Sequence, residues 1–533
     1  MLHYLKGGKS VHKITMNKII CLAIMMLFMA SASTISAQSK DGQLGTTNST
    51  EDFDPLVDIN VTVTIKEIRA FDVIDKFTDP DFYVKVFIND NEYDSDIWYN
   101  TKYVDDPSWS VTCNVPDDEE LVDIKIQLWD WNLGKDKICD ISRSDQTDER
   151  INDSYAHLFY DIAYGMWYGD DYSYYEPTMF DPSGYGRLNG CDDNSIYQQD
   201  RDCELVFDIT QTDYDGDGMP YWAEVNYYGT DPEVNDTGTD YDNDSVPTEW
   251  ECKWGYDPIE WDDHANLDPD QDGLDNVEEY LTSQWDSDPF RKDIFLELDQ
   301  MEIGPNGEGH FVPEQSKQLL KDAFGKHNIV LHIDDGCMGG GEIIPFDDNV
   351  TTEEMQNIYW NYFLHGDPDN WRQGTFHYGL ILYHAARYPG FVWWGGEDPV
   401  LDSFQISTDH HDAIAKENPF YLFLRYKSFN PDEKRAIIYA GAMMHETGHT
   451  LGIFSGNTPG CDDQVGKYIW QKDWWKWGPY KSCMNYRYVY ALVDYSDGSR
   501  GKNDFDDWGR IDLTFFQRDL WWLNSTQKSF LIV

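Results

Sequence analysis

The sequence predicts a multidomain protein: an all-β sandwich, a segment of repeated acidic loops, and a C-terminal α+β domain. Three observations predict it. Between residues 56 and 210, apolar residues alternate with polar ones or run on through stretches rich in β-branched and aromatic side chains. Between 213 and 279 one acidic register recurs three times. From 290 onward, strand-like and helix-like periods follow one another.

The chain has 533 residues, enough for about three domains. Residues 1–37 read as a signal peptide rather than fold. A basic start is followed by the apolar run "IICLAIMMLFMA", which is short for a membrane span, and by small residues in "SASTISAQ". Residues 38–55 are polar and aperiodic, a linker. The protein is therefore expected to be secreted or held at the cell surface. Eight cysteines follow the signal segment, an even number that suits a disulfide-permissive compartment. Cys113–Cys139 and Cys461–Cys483 are the pairs that neighbour each other in sequence.

Net charge is −58, from 98 acidic and 40 basic residues. Such a surface repels nucleic acid. Aromatic residues at 15% of the chain argue against disorder and for real cores. The carboxylates are either a solvated surface or committed to cations, and their arrangement decides.

In the region 56–210, "DINVTVTIKEI", "DFYVKVFI" and "LVDIKIQLWDW" read as sandwich strands bounded by Asp, Asn and Pro clusters. Two connecting loops, "FDVIDKFTDPDFYV" and "LWDWNLGKDKICD", are rich in aspartate. This resembles a C2 domain, whose calcium loops lie at one end of the sandwich. The resemblance implies calcium ligands at Asp75, Asp81, Asp130 and Asp136, with Asp79 or Asp140 as alternates. It also implies association with a membrane or cell surface through the loop tips.

The segment 211–289 contains "DYDGDGMPYWAE" from 213, "DYDNDSVPTEWE" from 240 and "DPDQDGLDNVEE" from 268. Each places acids at loop positions 1, 3 and 5 and a glutamate at 12, the register of an EF-hand calcium loop. The three sets are Asp213, Asp215, Asp217 and Glu224; Asp240, Asp242, Asp244 and Glu251; and Asp268, Asp270, Asp272 and Glu279. Four crowded carboxylates repel one another unless a divalent ion neutralises them. Gly218 and Gly273 take the sharp-turn position, while Ser245 departs from it. With "GTDP" and "WGYDP" following, the pattern resembles thrombospondin type 3 repeats, which implies calcium-ordered spacers rather than switches.

In the region 290–533, "RKDIFLELDQME", "NIVLHIDDG" and "FHYGLILYH" read as strands. "PEQSKQLLKDAFGKH", "TEEMQNIYWNYFLHG" and "DEKRAIIYAGAMMHETGHTLG" read as helices. On the last helix His445 and His449 are four residues apart, which puts both rings on one face, about 6 Å apart along the axis. Two imidazoles so placed suit zinc, and Glu446 is positioned to take a proton from a water that zinc has acidified. Downstream stands "SCMNYRY", residues 482–488.

Together "HETGHTLG" and "CMNY" resemble the metzincin metallopeptidases. The resemblance implies His445 and His449 as zinc ligands, Glu446 as catalytic base, Gly452 as the helix-ending glycine and Met484 as the turn methionine. Tyr486 then matches the tyrosine that in some metzincins reaches the zinc or the oxyanion. The usual third ligand position is Ser455, a poor zinc ligand. No histidine or glutamate follows His449. Asp462 is the favoured third ligand; Asp463, Cys461, Asp494, Asp497 and the upstream His410 and His411 remain open.

The expected activity is a zinc metalloprotease, a hydrolase cutting a protein or peptide substrate, supported by calcium in the accessory repeats. The aromatic run "YPGFVWWGGEDP", residues 388–399, is a candidate cleft lining, although core packing is the commoner fate of such tryptophans. The alternative is a calcium-dependent cell-surface binding or structural protein with an inactive peptidase-like domain.

Overall fold

The structure, a computed structural model, describes residues 58–116, 120–142, 155–170, 186–193, 201–385, 390–392, 401–417, 430–463 and 469–517. The expected signal peptide 1–37, the linker 38–55 and most of the run 388–399 lie outside them.

Alternation makes the sandwich. Phe82–Ile88 and Leu121–Asp130 bury every second side chain, and Asn60–Ala70 does so as far as Ile65, after which a register shift leaves Ile68, Arg69 and Ala70 all buried. One antiparallel sheet runs Gly186–Asn189, Cys203–Thr210, Asn60–Ala70 and Tyr103–Val104, with Trp109–Asn114 also paired to Asn60–Ala70. The other runs Asn91–Asp94, Phe82–Ile88, Leu121–Asp130, Ala156–Asp161 and Met166–Gly169, with Lys137–Cys139 also on Leu121–Asp130. Val63, Val84, Ile126 and Phe207 belong to the shared core.

The acidic segment that follows is wound from loops and short helices, Thr248–Trp254 and Asn276–Thr282 among them. Small aromatic clusters hold it, with Trp250, Trp254 and Phe290 buried together.

The C-terminal sheet runs Val330–Asp334, Asp293–Met301, Phe376–Leu382, Ser403–Ser407 and Gly390–Val392. The first four strands are mutually parallel and only the last pairing is antiparallel. The expectation of an α+β domain is therefore corrected to an α/β arrangement. The cause lies in the strands: Asp293–Met301 and Phe376–Leu382 are buried at every position, as strands covered on both faces must be. One face of Asp293–Met301, with Ile294, Leu296 and Leu298, packs with Leu320, Phe324, Tyr439 and Met443 of the helices Glu314–Gly325 and Pro431–Thr450. The other, with Phe295, packs with Met355, Tyr359 and Phe363 of the helical stretch beginning at Thr352.

Among the described residues the eight cysteines form no disulfide, so the expected Cys113–Cys139 and Cys461–Cys483 pairs are not made in this structure. Cys113 pairs across to Val61 in one sheet, while Cys139 is buried in the other. Cys461 directs its thiol to Asp462 Oδ2 at 3.2 Å rather than to Cys483.

Candidate metal centre and cation loops

The helix Pro431–Thr450 begins with a capping box between Asn430 and Glu433 and with Pro431 in its first turn. Its glycines allow close approach. A Cβ on Gly441 would collide with the Val489 carbonyl, and one on Gly448 with the Met484 sulfur. The helix thus lies directly on the segment 482–495, and Tyr495 Oη donates to the Met444 carbonyl at 2.6 Å.

Each histidine is oriented by its Nδ1. His445 Nδ1 lies 2.9 Å from the Cys483 carbonyl, and His449 Nδ1 lies 2.7 Å from the Ile453 carbonyl. A carbonyl only accepts, so Nδ1 carries the proton and Nε2 keeps its lone pair. The Ile453 carbonyl arrives because Gly452, at φ +86°, turns the chain back under the helix end.

Asp462 completes the group. The short extended stretch Pro459–Asp462 brings it in, and its N–H donates to the Met484 carbonyl at 3.1 Å. Its φ of +55° is unusual for a non-glycine residue and aims the carboxylate at the histidines. Asp462 Oδ1 stands 3.1 Å from His445 Nε2 and 3.5 Å from His449 Nε2. A four-coordinate ion with bonds of about 2.0–2.2 Å separates its donors by about 3.3–3.6 Å. Two lone pairs facing a buried, otherwise unpartnered oxygen repel unless a cation lies between them, so the donor set fits zinc.

With no cation between the donors, a proton on His449 Nε2 takes its place opposite Asp462. Burial by itself raises the Asp462 carboxyl, but the two imidazoles outweigh it and hold the group well below the usual range. Burial lowers His449, yet the Asp462 charge pushes it up to about 9. Glu446 is raised, by burial first, against the opposing pull of His445 and His449. Tyr486 stacks on the His445 ring with centroids 5.4 Å apart. Burial, then Asp462 and Glu446, raise its hydroxyl, which keeps it a proton donor.

Of the other third-ligand candidates, Asp494, Asp497, His410 and His411 are engaged elsewhere. Asp494 Oδ1 accepts from Trp508 Nε1, and Asp497 accepts from Ser499 and Arg500. His411 is held by the Ser407 carbonyl and packs on Tyr439, and His410 lies beside Tyr490. Cys461 is raised well above the thiol range by burial and by Asp462, so it stays a neutral thiol.

The three acidic loops share one wiring. The first aspartate accepts backbone N–H groups of its own loop: Asp213 from Gly216 and Gly218, Asp240 from Asn243, Asp244 and Ser245, Asp268 from Gln271, Asp272 and Gly273. The third aspartate accepts with one oxygen from the residue two along: Asp217 from Met219, Asp244 from Val246, Asp272 from Leu274. Its second oxygen accepts from a distant N–H, that of Asp236, Asp262 or Asp293 respectively. Those three closing residues were not singled out from the sequence, since their backbone rather than their side chains does the work.

Buried acceptors are left over in each loop. Both oxygens of Asp215, Asp242, Glu251 and Glu279, and one each of Glu224 and Asp270, have no hydrogen-bond partner. Burial, then Asp217, pushes Glu224 up to about 8. Burial likewise raises Glu251 to about 7 and carries Asp270, Asp272 and Glu279 well above their usual values. The all-oxygen sets of the first and third loops fit calcium.

The sandwich loops depart from expectation. Lys137 Nζ binds both Asp75 and Asp130, the latter at 3.2 Å, and so supplies the positive charge between them. Asp81 Oδ1 accepts from the Asn100 N–H, and Asp136 accepts from the Asn132 N–H and Tyr83 Oη. Of the alternates, Asp79 lies 4.0 Å from Lys102 and Asp140 accepts from the Ser142 N–H. Val73, Phe77 and Leu133 stand out from the same loops, with Phe77 91% and Leu133 96% exposed.

Residues 60–155 match the family model of the C2 domain. Among curated proteins none matches the chain. Solved structures similar to it include one described as a C2 domain, at 10% identity and TM-score 0.18, covering 29% of this chain and 98% of that one. A C2 domain of plant extended synaptotagmin 1 matches at 10% identity and TM-score 0.18, over 29% and 94% of the two chains. Human GIVD cytosolic phospholipase A2 matches at 13% identity and TM-score 0.18, over 29% of this chain but 16% of its own. The chain is thus a multidomain protein with a β-sheet C2 domain at residues 60–155 and further α/β regions beyond it.

Proposed function

We propose that the chain is an exported zinc-dependent endopeptidase of the metzincin type, stabilised by calcium in its thrombospondin type 3-like loops. One observation carries the reading: two Nε2 lone pairs and Asp462 Oδ1 converge on one point, beside Glu446 and beneath the Tyr486 ring. Zinc bound there supplies a Lewis acid and acidifies water. Glu446, raised by burial, takes a proton from the attacking water and passes it to the leaving amine. Tyr486, kept protonated, donates to the developing oxyanion. Met484 and the segment around it fix the ligand positions from below, through the Cys483 and Met484 carbonyls.

The test is cleavage of casein by the zinc-loaded protein and by its Glu446→Gln variant. The variant should keep its zinc and lose about 10²- to 10⁴-fold in rate. Undiminished cleavage by that variant rejects the mechanism.

A second reading is a calcium-dependent cell-surface binding protein whose peptidase-like domain is inert. The exposed Val73, Phe77 and Leu133 favour surface attachment, because apolar tips beside lysines suit a lipid interface. Zinc binding without cleavage of any protein substrate, together with sedimentation on anionic vesicles, would select this reading over the first.

A further inference from the structure

The middle acidic loop differs from its neighbours in one respect. His264 is fully buried beside it, with Nε2 3.1 Å from Asp244 Oδ2 and 3.7 Å from Glu251 Oε1. It is the single histidine between His157 and His310 in sequence; beside the third loop, His332 bonds the closing residue Asp293 at 2.7 Å. We infer that this loop holds a nitrogen-ligated dication of the zinc, manganese or cobalt class through Asp244, Glu251 and His264, while the loops on either side take calcium.

The ring is built to be a ligand. Trp250 and Tyr256 meet it edge to face, at 5.9 Å and 4.8 Å between centroids, and so fix its plane. The Asn276 side-chain amide, placed with Nδ2 toward the ring, lies 2.9 Å from Nδ1. Turned with its oxygen toward the ring, that amide accepts Nδ1–H and leaves Nε2 as a bare lone pair aimed into the loop. This also provides for the Asn276 oxygen, which is otherwise buried without a partner.

A proton on Nε2 is not enough to satisfy the site. Both oxygens of Glu251, both of Asp242 and His264 Nε2 are all buried without hydrogen bonds. One proton serves one or two of these five atoms, whereas a dication serves several at once. The separations of 3.1 and 3.7 Å from His264 match those at the His445, His449 and Asp462 group, 3.1 and 3.5 Å. An imidazole nitrogen among carboxylates favours borderline transition metals, since calcium takes oxygen donors.

The inference rests on the reading of the loops as cation sites, and its test separates the two. Crystals of the full mature chain grown with calcium and zinc together are measured above and below the zinc edge. An anomalous zinc peak within bonding distance of His264 Nε2, with calcium density in the outer loops, is the expected result. Calcium alone in the middle loop, with no zinc-edge signal near His264, overturns the inference while leaving the calcium reading intact. Absence of any ion from the outer loops sinks the calcium reading independently of what His264 holds. In solution, His264→Gln should bind zinc at that site at least about 100-fold more weakly and carry one zinc fewer, with an unchanged calcium count. An unchanged zinc count in a folded His264→Gln protein also overturns it.

Discussion

Gly448 is the smallest residue on the metal-bearing turn and the one with least room for change. Its Cα faces the Met484 sulfur closely enough that a methyl group would force the helix away from the segment 482–495. That segment supplies the Cys483 carbonyl that orients His445 and the Met484 carbonyl that anchors Asp462. Gly448→Ala should therefore cost about 1–3 kcal/mol by overpacking and weaken zinc binding as well. Urea unfolding and metal analysis of the purified variant check both effects; normal zinc affinity would show that the close approach does not set the ligand geometry. The two histidines and Glu446 were legible from sequence because a helix repeats every 3.6 residues, so spacing alone places them. Asp462 was harder to read. It reaches the site through a left-handed backbone at φ +55° and a hydrogen bond to a residue 22 positions on, neither of which leaves a mark in a short window of sequence.

At the scale of the element, the acidic loops show what a repeated register does and does not reveal. Positions 1, 3, 5 and 12 are visible because alternate side chains must converge, but the N–H groups of Asp236, Asp262 and Asp293 that close each loop belong to backbone. Each loop also needs left-handed residues at positions 4 and 6. Gly216 and Gly218 serve in the first, Asn243 and Ser245 in the second, Gln271 and Gly273 in the third. Ser245, exposed at φ +93°, carries strain that glycine lacks, so Ser245→Gly should stabilise the middle loop by about 1 kcal/mol. A lower thermal midpoint in that variant would refute the strain. The buried glutamates make a second prediction. Glu224, ordinarily near 4.5, is raised to about 8 in the folded protein, mainly by burial. Between those values the folded state holds a proton that the unfolded state has released, so without cations stability falls as pH rises from 4.5 to about 8. Calcium replaces that proton. Its gain in thermal midpoint over EGTA should therefore be larger at pH 8 than at pH 5, and an equal gain at both would count against cation-filled loops.

Across the whole molecule the sandwich is tied to the C-terminal domain by buried charge, and this tie was invisible in the sequence because its members lie more than 100 residues apart. Arg69, buried at 2% exposure, bonds Glu67 at 2.6 Å within the sandwich and Asp322 at 3.0 Å and Gln318 at 2.8 Å on the helix Glu314–Gly325. Tyr103 Oη adds a bond to Asp322 at 2.8 Å, and Asn189 Nδ2 donates to the Gly325 carbonyl at 2.7 Å. Phe71 fills the space over Gly325, where a Cβ would strike its ring. The third acidic loop joins the same domain from the other direction, since Asp293 begins the strand Asp293–Met301 and donates its N–H to Asp272 Oδ2 at 2.6 Å. Such contacts couple the unfolding of the parts. Burial raises the Asp322 carboxyl and Arg69 is the largest influence lowering it, so removing the guanidinium leaves a buried carboxylate short of its main counter-charge. Arg69→Met should cost about 3–5 kcal/mol and split a single calorimetric transition into two, with the sandwich and the C-terminal domain melting apart. Tyr103→Phe, which removes one hydrogen bond to the same carboxylate and leaves the charge pair, should cost about 1.5–3 kcal/mol without splitting the transition. If Arg69→Met melts as the parent does, the interface is a contact without energetic weight and the domains are held in register by the acidic segment alone.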